Sequence, residues 1–309
     1  MERSINNEGS SSLILVIGAT GTQGGKVARV LLAHGHRVRI LTRHPGAPAA
    51  QRLVEAGAEA VRGDMGDPAS LTEALRGVTG VFSMSPLDGS GDDSEKRYAS
   101  ALVVAALNAG AGQFVHASVA GIEQPPYHHV PDSLVHYWQD KWEIEEYVRN
   151  AGFPSWTILQ PTWVMENLAE PTSRFMFPQL NQGKLFTALK TDTRLDMVAA
   201  DDIGAFACAA FENPAAFSGK NIALAGESLT MGEVAAALSR ATGQQVTSSS
   251  LRPAEAIAQG MHPSVVNSQA YRNEVGFLVD IGALKQYGIP LTTFAQWADK
   301  YRSKIAIGS

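Results

Sequence analysis

The sequence is sparing in the features that mark specialised proteins. It has one cysteine, Cys208, in 309 residues, so no disulfide can form within the chain, which suits a reducing cytoplasm. Cys208 lies in the apolar run Ala205-Phe206-Ala207-Cys208-Ala209-Ala210-Phe211 and reads as a small buried hydrophobe. There is no basic excess: the formal net charge is −5, which argues against nucleic acid as a direct partner. No uninterrupted apolar run reaches membrane-spanning length, so no membrane association is expected. The stretch Met1–Ser12 is polar and lacks the apolar segment of a secretory signal, and residues 1–11 read as a disordered tail. With 45% hydrophobic and 18% charged residues the remainder is ordinary globular composition, long enough for one large domain or two modest ones.

What is present begins at Leu13. The apolar run Leu13-Ile14-Leu15-Val16-Ile17 leads into glycines spaced Gly18-x-x-Gly21-x-x-Gly24, and an amphipathic helix follows with Val27, Val30, Leu31 and Leu32 as its stripe. Strand, glycine turn and helix in this order bind a dinucleotide pyrophosphate. Glycine lets the backbone approach the phosphates without a Cβ in the way. The helix N-terminus offers free N–H groups and a partial positive charge. Gly18, Thr20, Gly21, Thr22, Gln23 and Gly24 are therefore expected to hold the cofactor.

Strands and helices alternate through the first half. Strands are expected at 37–42, 58–62, 78–84, 113–118 and 156–160, with helices at 49–56, 67–75, 94–108 and 133–150. Such alternation predicts an α/β fold, a Rossmann-type doubly wound parallel sheet covered on both faces. A helix opening at Asp201-Asp202 and a strand at 221–224 extend the pattern, and Thr230 with Glu233 forms a capping-box signature. The expected organisation is an NADP-binding domain over 12–160, to which 196–226 returns, and a smaller mixed α/β substrate domain over 161–309.

The end of the second strand decides between cofactors. A carboxylate there accepts from the 2′-hydroxyl of NAD, whereas an arginine accommodates the 2′-phosphate of NADP. The strand ends Leu41-Thr42-Arg43-His44, with no carboxylate in reach, and Arg43 offers a planar fork suited to phosphate. NADP(H) is the expected cofactor, against the plainer reading of Arg43 as a solvated loop residue.

Several segments together resemble the NmrA-like family of atypical short-chain dehydrogenase/reductases. They are Gly18-Ala19-Thr20-Gly21-Thr22-Gln23-Gly24, Thr42-Arg43, Gly63-Asp64-Met65-Gly66-Asp67, Ile144-Glu145-Glu146-Tyr147 and Ile158-Leu159-Gln160-Pro161-Thr162-Trp163. Glu166-Asn167, Asp201-Asp202-Ile203-Gly204, Gly219-Lys220 and Tyr287-Gly288-Ile289-Pro290 continue the likeness over nearly the whole chain. The resemblance implies that Asp64 and Met65 lie beside the adenine, and that Ser83, Met84, Ser85, Ala117 and Ser118 pass near the nicotinamide half. It also implies that Pro161 and Thr162 contribute to the cofactor site. Asp64 could equally be a turn residue, and Ser118 a hydroxyl bonded to its own backbone. The family includes NADPH-dependent reductases of quinones, dyes and plant phenolics, and also catalytically silent redox sensors.

One segment departs from that family. Tyr137-Trp138-Gln139-Asp140-Lys141 carries the Tyr-x-x-x-Lys signature of the wider dehydrogenase superfamily, where the NmrA-like branch commonly replaces the tyrosine. Residues four apart share a helix face, and this face continues through the apolar Ile144 and Val148, so Lys141 turns toward the protein. There it is expected to meet the cofactor ribose and to lower the pKa of the Tyr137 phenol toward the working range. Ser118 is expected to orient a substrate carbonyl. The plainer reading makes Tyr137 one aromatic among Trp138, Trp142 and Tyr147.

His128, His129 and His136 match no zinc spacing, and no metal site is expected. The stretch 125–131 reads as a loop near the substrate entrance. Trp163, Met165, Phe175, Met176 and Phe177 either line an apolar substrate pocket or form core. The leading expectation is a cytoplasmic NADPH-dependent reductase acting on an apolar or aromatic carbonyl-like small molecule, with a homodimer left open as its assembly. The competing readings are a non-catalytic NADP(H) sensor and a quinone reductase without tyrosine catalysis.

Overall fold

A computed structural model of the protein describes residues 12–84, 94–122, 130, 132–276 and 279–308. Seven parallel strands form the central sheet: β1 (Leu13–Val16), β2 (Arg37–Thr42), β3 (Glu59–Arg62), β4 (Gly80–Met84), β5 (Gln113–Ala117), β6 (Ser155–Pro161) and, after three strands that lie elsewhere, β10 (Lys220–Leu224). Their order across the sheet is β10-β6-β5-β4-β1-β2-β3. The chain leaves β1 toward β2 on one side and returns as β4 on the other, with Ile14 paired to Val38 and to Gly80. That reversal opens a crevice at the carboxyl ends of β1 and β4, where this sheet type receives its ligand.

The sequence of β1 explains its central place. Leu13, Ile14, Leu15 and Val16 are all buried, so both faces of the strand must be covered. Helices α1 (Thr22–Ala33) and α7 (Ala200–Glu212) cover one face, packing Val27, Leu31, Ile203 and Phe206 against Ile14, Val16 and Phe82. The other face packs Leu15, Val81 and Phe114 against α3 (Pro68–Ala74), α4 (Ser94–Asn108) and the end of α5 (Asp132–Asn150). Helix α2 (Pro48–Glu55) joins β2 to β3. Asp67 caps α3 by accepting from Ala69 N at 3.0 Å, with Pro68 at the first helical position.

The remaining strands make two small sheets. β7 (Trp163–Val164), β9 (Leu195–Val198) and β11 (Glu227–Leu229) form one, and β8 (Lys184–Thr187) pairs with β12 (Thr247–Ser250) in the other. Around them lie α6 (Thr172–Met176), α9 (Met231–Thr242), α10 (Pro253–Ala258), α11 (Pro263–Val275) and α12 (Phe294–Tyr301), while α8 (Pro214–Phe217) packs Phe217 into the core of the central sheet beside β6. A second core joins Met165, Leu185, Met197, Val234, Leu238, Phe294 and Trp297. Of residues 196–226, β9 pairs within the small sheet, α7 packs on the central one, and β10 extends it beside β6, with Lys220 opposite Thr157. The capping box of α9 is present, Thr230 Oγ1 accepting from Glu233 N and Thr230 N donating to Glu233 Oε2.

Candidate active site

The glycine turn lies at the carboxyl end of β1. Gly18 has φ +69°, a conformation open to glycine, and its carbonyl accepts from Gly21 N at 2.9 Å. A Cβ on Gly24 would sit 2.5 Å from the Gly18 carbonyl carbon and oxygen, so this glycine lets α1 close on β1. Gly21 differs: its Cβ would meet only the Gly18 oxygen, at 3.3 Å, and the residue is exposed. Gly21 is the N-cap of α1 and brings no side-chain cap, and the first turn has no acidic residue. The helix therefore presents uncapped N–H groups and its positive end to the exposed surface at Thr20, Gly21 and Thr22. Gln23 Oε1 is buried with no hydrogen-bond partner among the described residues. An uncapped helix end and an orphaned amide oxygen fit a bound pyrophosphate and its ribose.

The other expected cofactor residues are distributed around this turn. Met84 ends β4 with its sulfur 2.7 Å from where a Gly18 Cβ would be, so it lies directly over the turn. Ser83 faces the opposite side of the sheet and pairs with His116. Arg43 is exposed just past β2. Asp64 Oδ1 accepts from Gly66 N at 2.7 Å, the geometry of a turn residue, and Met65 packs against the α3–α4 core. Ala117 and Ser118 end β5. Pro161 and Thr162 end β6, beyond β5, and the Thr162 hydroxyl is occupied by Leu224 O at 2.9 Å. Ser85 lies outside the described residues.

Helix α5 brings Tyr137 and Lys141 together, the Lys141 ammonium 5.5 Å from the centre of the Tyr137 ring. Lys141 is 5% exposed. Its charge is met by Glu95, in the first turn of α4, which is also buried and hydrogen-bonds the ammonium. This carboxylate is a partner the sequence reading does not include, beside the ribose and phenol it expects. The surroundings of the phenol do not produce the expected lowering of its pKa. Burial raises the Tyr137 pKa, the Lys141 charge offsets part of that, and the Glu95 carboxylate pushes it up again. Burial opposes the Lys141 charge, yet the Glu95 carboxylate and its hydrogen bond help hold its pKa above the ordinary value.

Three further polar groups extend this cluster. His116 in β5 is fully buried, with Nδ1 3.3 Å from Ser83 Oγ and Nε2 without a partner among the described residues. Burial, with Lys141 nearby, lowers its pKa to about 3, so it is neutral. Glu145, one turn beyond Lys141, is fully buried between Gln160 Nε2 at 2.8 Å and the Arg149 guanidinium. Burial raises its pKa against those partners. The Ser118 hydroxyl lies toward this carboxylate without reaching hydrogen-bond geometry. Glu145 was open to discovery by spacing, because it shares the Lys141–Val148 face. Glu95 and His116 carried no local signal, since their partners are remote in sequence.

His136 pairs with Asp140 at 3.4 Å, and His128 and His129 lie outside the described residues. Of the candidate pocket residues, Met165 and Phe177 are buried in the second core, and Trp163 and Met176 pack on it. Phe175 is half exposed and leans on His262. Among the described residues a cavity of about 420 Å³ opens beside Phe177, lined by Glu170, Arg174 and Asn181 and by no residue of the glycine turn.

A doubly wound sheet, a strand–glycine turn–helix and an uncapped helix end define a Rossmann protein of the dinucleotide-binding type. Residues 10–283 match the NmrA-like family, and the chain belongs to it. It is 32% identical to an NAD(P)H azoreductase of Xenophilus azovorans, over 76% of this chain and 75% of that one. It is 34% identical to a (4-alkanoyl-5-oxo-2,5-dihydrofuran-3-yl)methyl phosphate reductase of Streptomyces griseus subsp. griseus, over 75% and 74%. Among solved structures, an NADPH-dependent quinone oxidoreductase of Escherichia coli, complexed with NADPH, superposes with a TM-score of 0.75 at 24% identity, over 93% of this chain and 99% of that one. No helix among the described residues is long and apolar enough to cross a membrane.

Proposed function

We propose that the protein is an NADPH-dependent reductase that delivers hydride to an apolar or aromatic carbonyl-like small molecule. The cofactor is a nicotinamide dinucleotide, and it supplies the hydride. The uncapped α1 N-terminus holds the pyrophosphate, and Arg43 at the end of β2 takes the 2′-phosphate. The two reductases at 32% and 34% identity support the reaction class.

The observation that carries the finer reading is the Tyr137–Lys141 pair on the inner face of α5, with Lys141 neutralised by Glu95. A phenol whose pKa is raised is fully protonated at neutral pH. Such a group donates a proton and does not accept one, so it serves reduction, where charge develops on the substrate oxygen. Lys141 then orients the phenol and the ribose, and Ser118, with its unspent hydroxyl, is a second donor to the substrate.

NADPH oxidation against ketones, enones, imines and quinones tests this. Tyr137→Phe should keep NADPH binding and lower carbonyl turnover by about 10²-fold or more. Lys141→Ala should weaken both turnover and cofactor affinity. Full carbonyl activity in Tyr137→Phe would overturn the tyrosine role.

A further inference from the structure

Helix α1 carries a second polar cluster at its other end. His34 is its C-cap, Gly35 turns the chain with φ +84°, and His36 leads into β2. Facing them, the last turn of α7 presents Cys208 and Glu212, four residues apart on one helix face. His34 Nδ1 lies 3.0 Å from Glu212 Oε1, and His36 Nε2 lies 3.2 Å from the same oxygen. A nitrogen of His34, the sulfur of Cys208 and a carboxylate oxygen of Glu212 all fall within 4.8 Å of one another. We propose that His34, Cys208 and Glu212 bind a divalent transition metal of the zinc type, with His36 hydrogen-bonded to Glu212 behind them and the fourth position open to solvent.

Imidazole, thiolate and carboxylate are the ligand types of zinc, at about 2.0–2.3 Å from the ion, so ligand atoms around one ion stand roughly 3–4 Å apart. With no pair more than 4.8 Å apart, the site needs a closure of at most about 1–2 Å at its widest pair. The mixture of sulfur and nitrogen disfavours magnesium and calcium, which take oxygen ligands. The sole cysteine of the chain lies beside one of its eight histidines here, and a second histidine holds the shared carboxylate. Ser12 Oγ lies 3.0 Å from His36 Nδ1, which directs Nε2 at Glu212 in the manner of an outer-shell partner. The His34 and Glu212 side chains are 51% and 40% exposed, so an ion reaches the site from solvent, while Cys208 closes it from the core.

Burial, helped by Glu212, pushes the Cys208 thiol up to about 12, so the metal-free thiol is protonated. Binding forms the metal–sulfur bond, breaks S–H and releases that proton to water. His34 keeps its proton on Nε2 and offers Nδ1. The bound ion then joins α1 to α7 across a separation of 178 residues, which is why spacing in the sequence does not reveal the site.

The test uses the full chain, stripped with chelator, kept reduced and titrated with Zn²⁺ by calorimetry, with Co²⁺ as an absorbance probe. One ion per chain, a thiolate-to-cobalt charge-transfer band and a Zn²⁺-dependent rise in Tm are expected. Cys208→Ser should abolish the band, and His34→Gln should weaken Zn²⁺ binding at least about tenfold while NADPH binding is kept. His34 is half exposed, so that variant serves even if Cys208→Ser does not fold. Absence of stoichiometric binding, absence of the band, or affinity unchanged in His34→Gln would overturn the proposal.

Discussion

At the scale of the residue, His116 shows how a buried polar side chain shapes behaviour away from neutrality. Its pKa in the fold is about 3, because burial and the Lys141 charge disfavour the cation, whereas the unfolded chain titrates near 6.5. The folded state thus binds fewer protons than the unfolded one between those values. Stability is full above the unfolded pKa and falls as pH drops toward the folded one, by up to about 1.4 kcal/mol per pH unit. His116→Gln should therefore show a smaller loss of Tm between about pH 6.5 and pH 4 than the unaltered protein. Equal slopes in a melting series would place the acid lability elsewhere. Lys141 belongs to the same scale. Its charge is offset by Glu95, and removing that carboxylate leaves a buried ammonium without it, which costs about 3–5 kcal/mol.

At the scale of the element, the glycines of the first turn separate folding from binding. Gly24→Ala places a methyl 2.5 Å from the Gly18 carbonyl, so α1 must shift off β1; a loss of about 1–3 kcal/mol in denaturant unfolding is expected. Gly21→Val meets only one oxygen at 3.3 Å and points outward. It should unfold near the native midpoint yet bind NADPH poorly, because the branched side chain stands where phosphate must approach. Near-native NADPH affinity in Gly21→Val, measured by calorimetry, would show that the cofactor lies elsewhere. These elements were legible because their signals are local. β2 and α4 have the bounds read from the sequence, and Asp67 and Thr230 cap as their spacing requires. Glu166 was legible only as part of a motif. In the fold its carboxylate accepts from Ala200 N at 3.0 Å and caps α7, whose own N-cap, Ala199, cannot. A cap supplied from 34 residues away leaves no trace in local pattern. The Glu95–Lys141 pair was hidden for the same reason.

At the scale of the whole molecule, the Asp201 carboxylate ties the C-terminal helix to the two helices that cover the central sheet. Asp201, in the first turn of α7, receives Lys26 of α1 at 2.9 Å, Lys300 of α12 at 2.9 Å and the Tyr301 hydroxyl. Burial alone would raise its pKa, but hydrogen bonds from Tyr301, Lys26 and Lys300 hold it at about 2. The stability it contributes is present above its unfolded value near 3.8 and is lost as pH falls toward about 2. Asp201→Asn should lower Tm by a few degrees at neutral pH, and less in acid. A Tm unchanged at neutral pH would show that α12 is held without Asp201, by the Phe294 and Trp297 packing and the bond from Phe294 N to Glu227.

The pairing of β10 with β6 also governs how the chain is made. The outer edge of β6 is complete only when Lys220 meets Thr157. A ribosome adding about 5–20 residues per second needs roughly 3–12 s to cover those some 60 residues. For that interval the nascent sheet has an open strand edge, and the apolar face of Phe82, Val115 and Leu159 lacks its α7 cover. An open edge beside uncovered hydrophobic surface invites association with neighbouring chains. A chaperone that shields this face during synthesis should raise the yield of folded protein more than one offered after release.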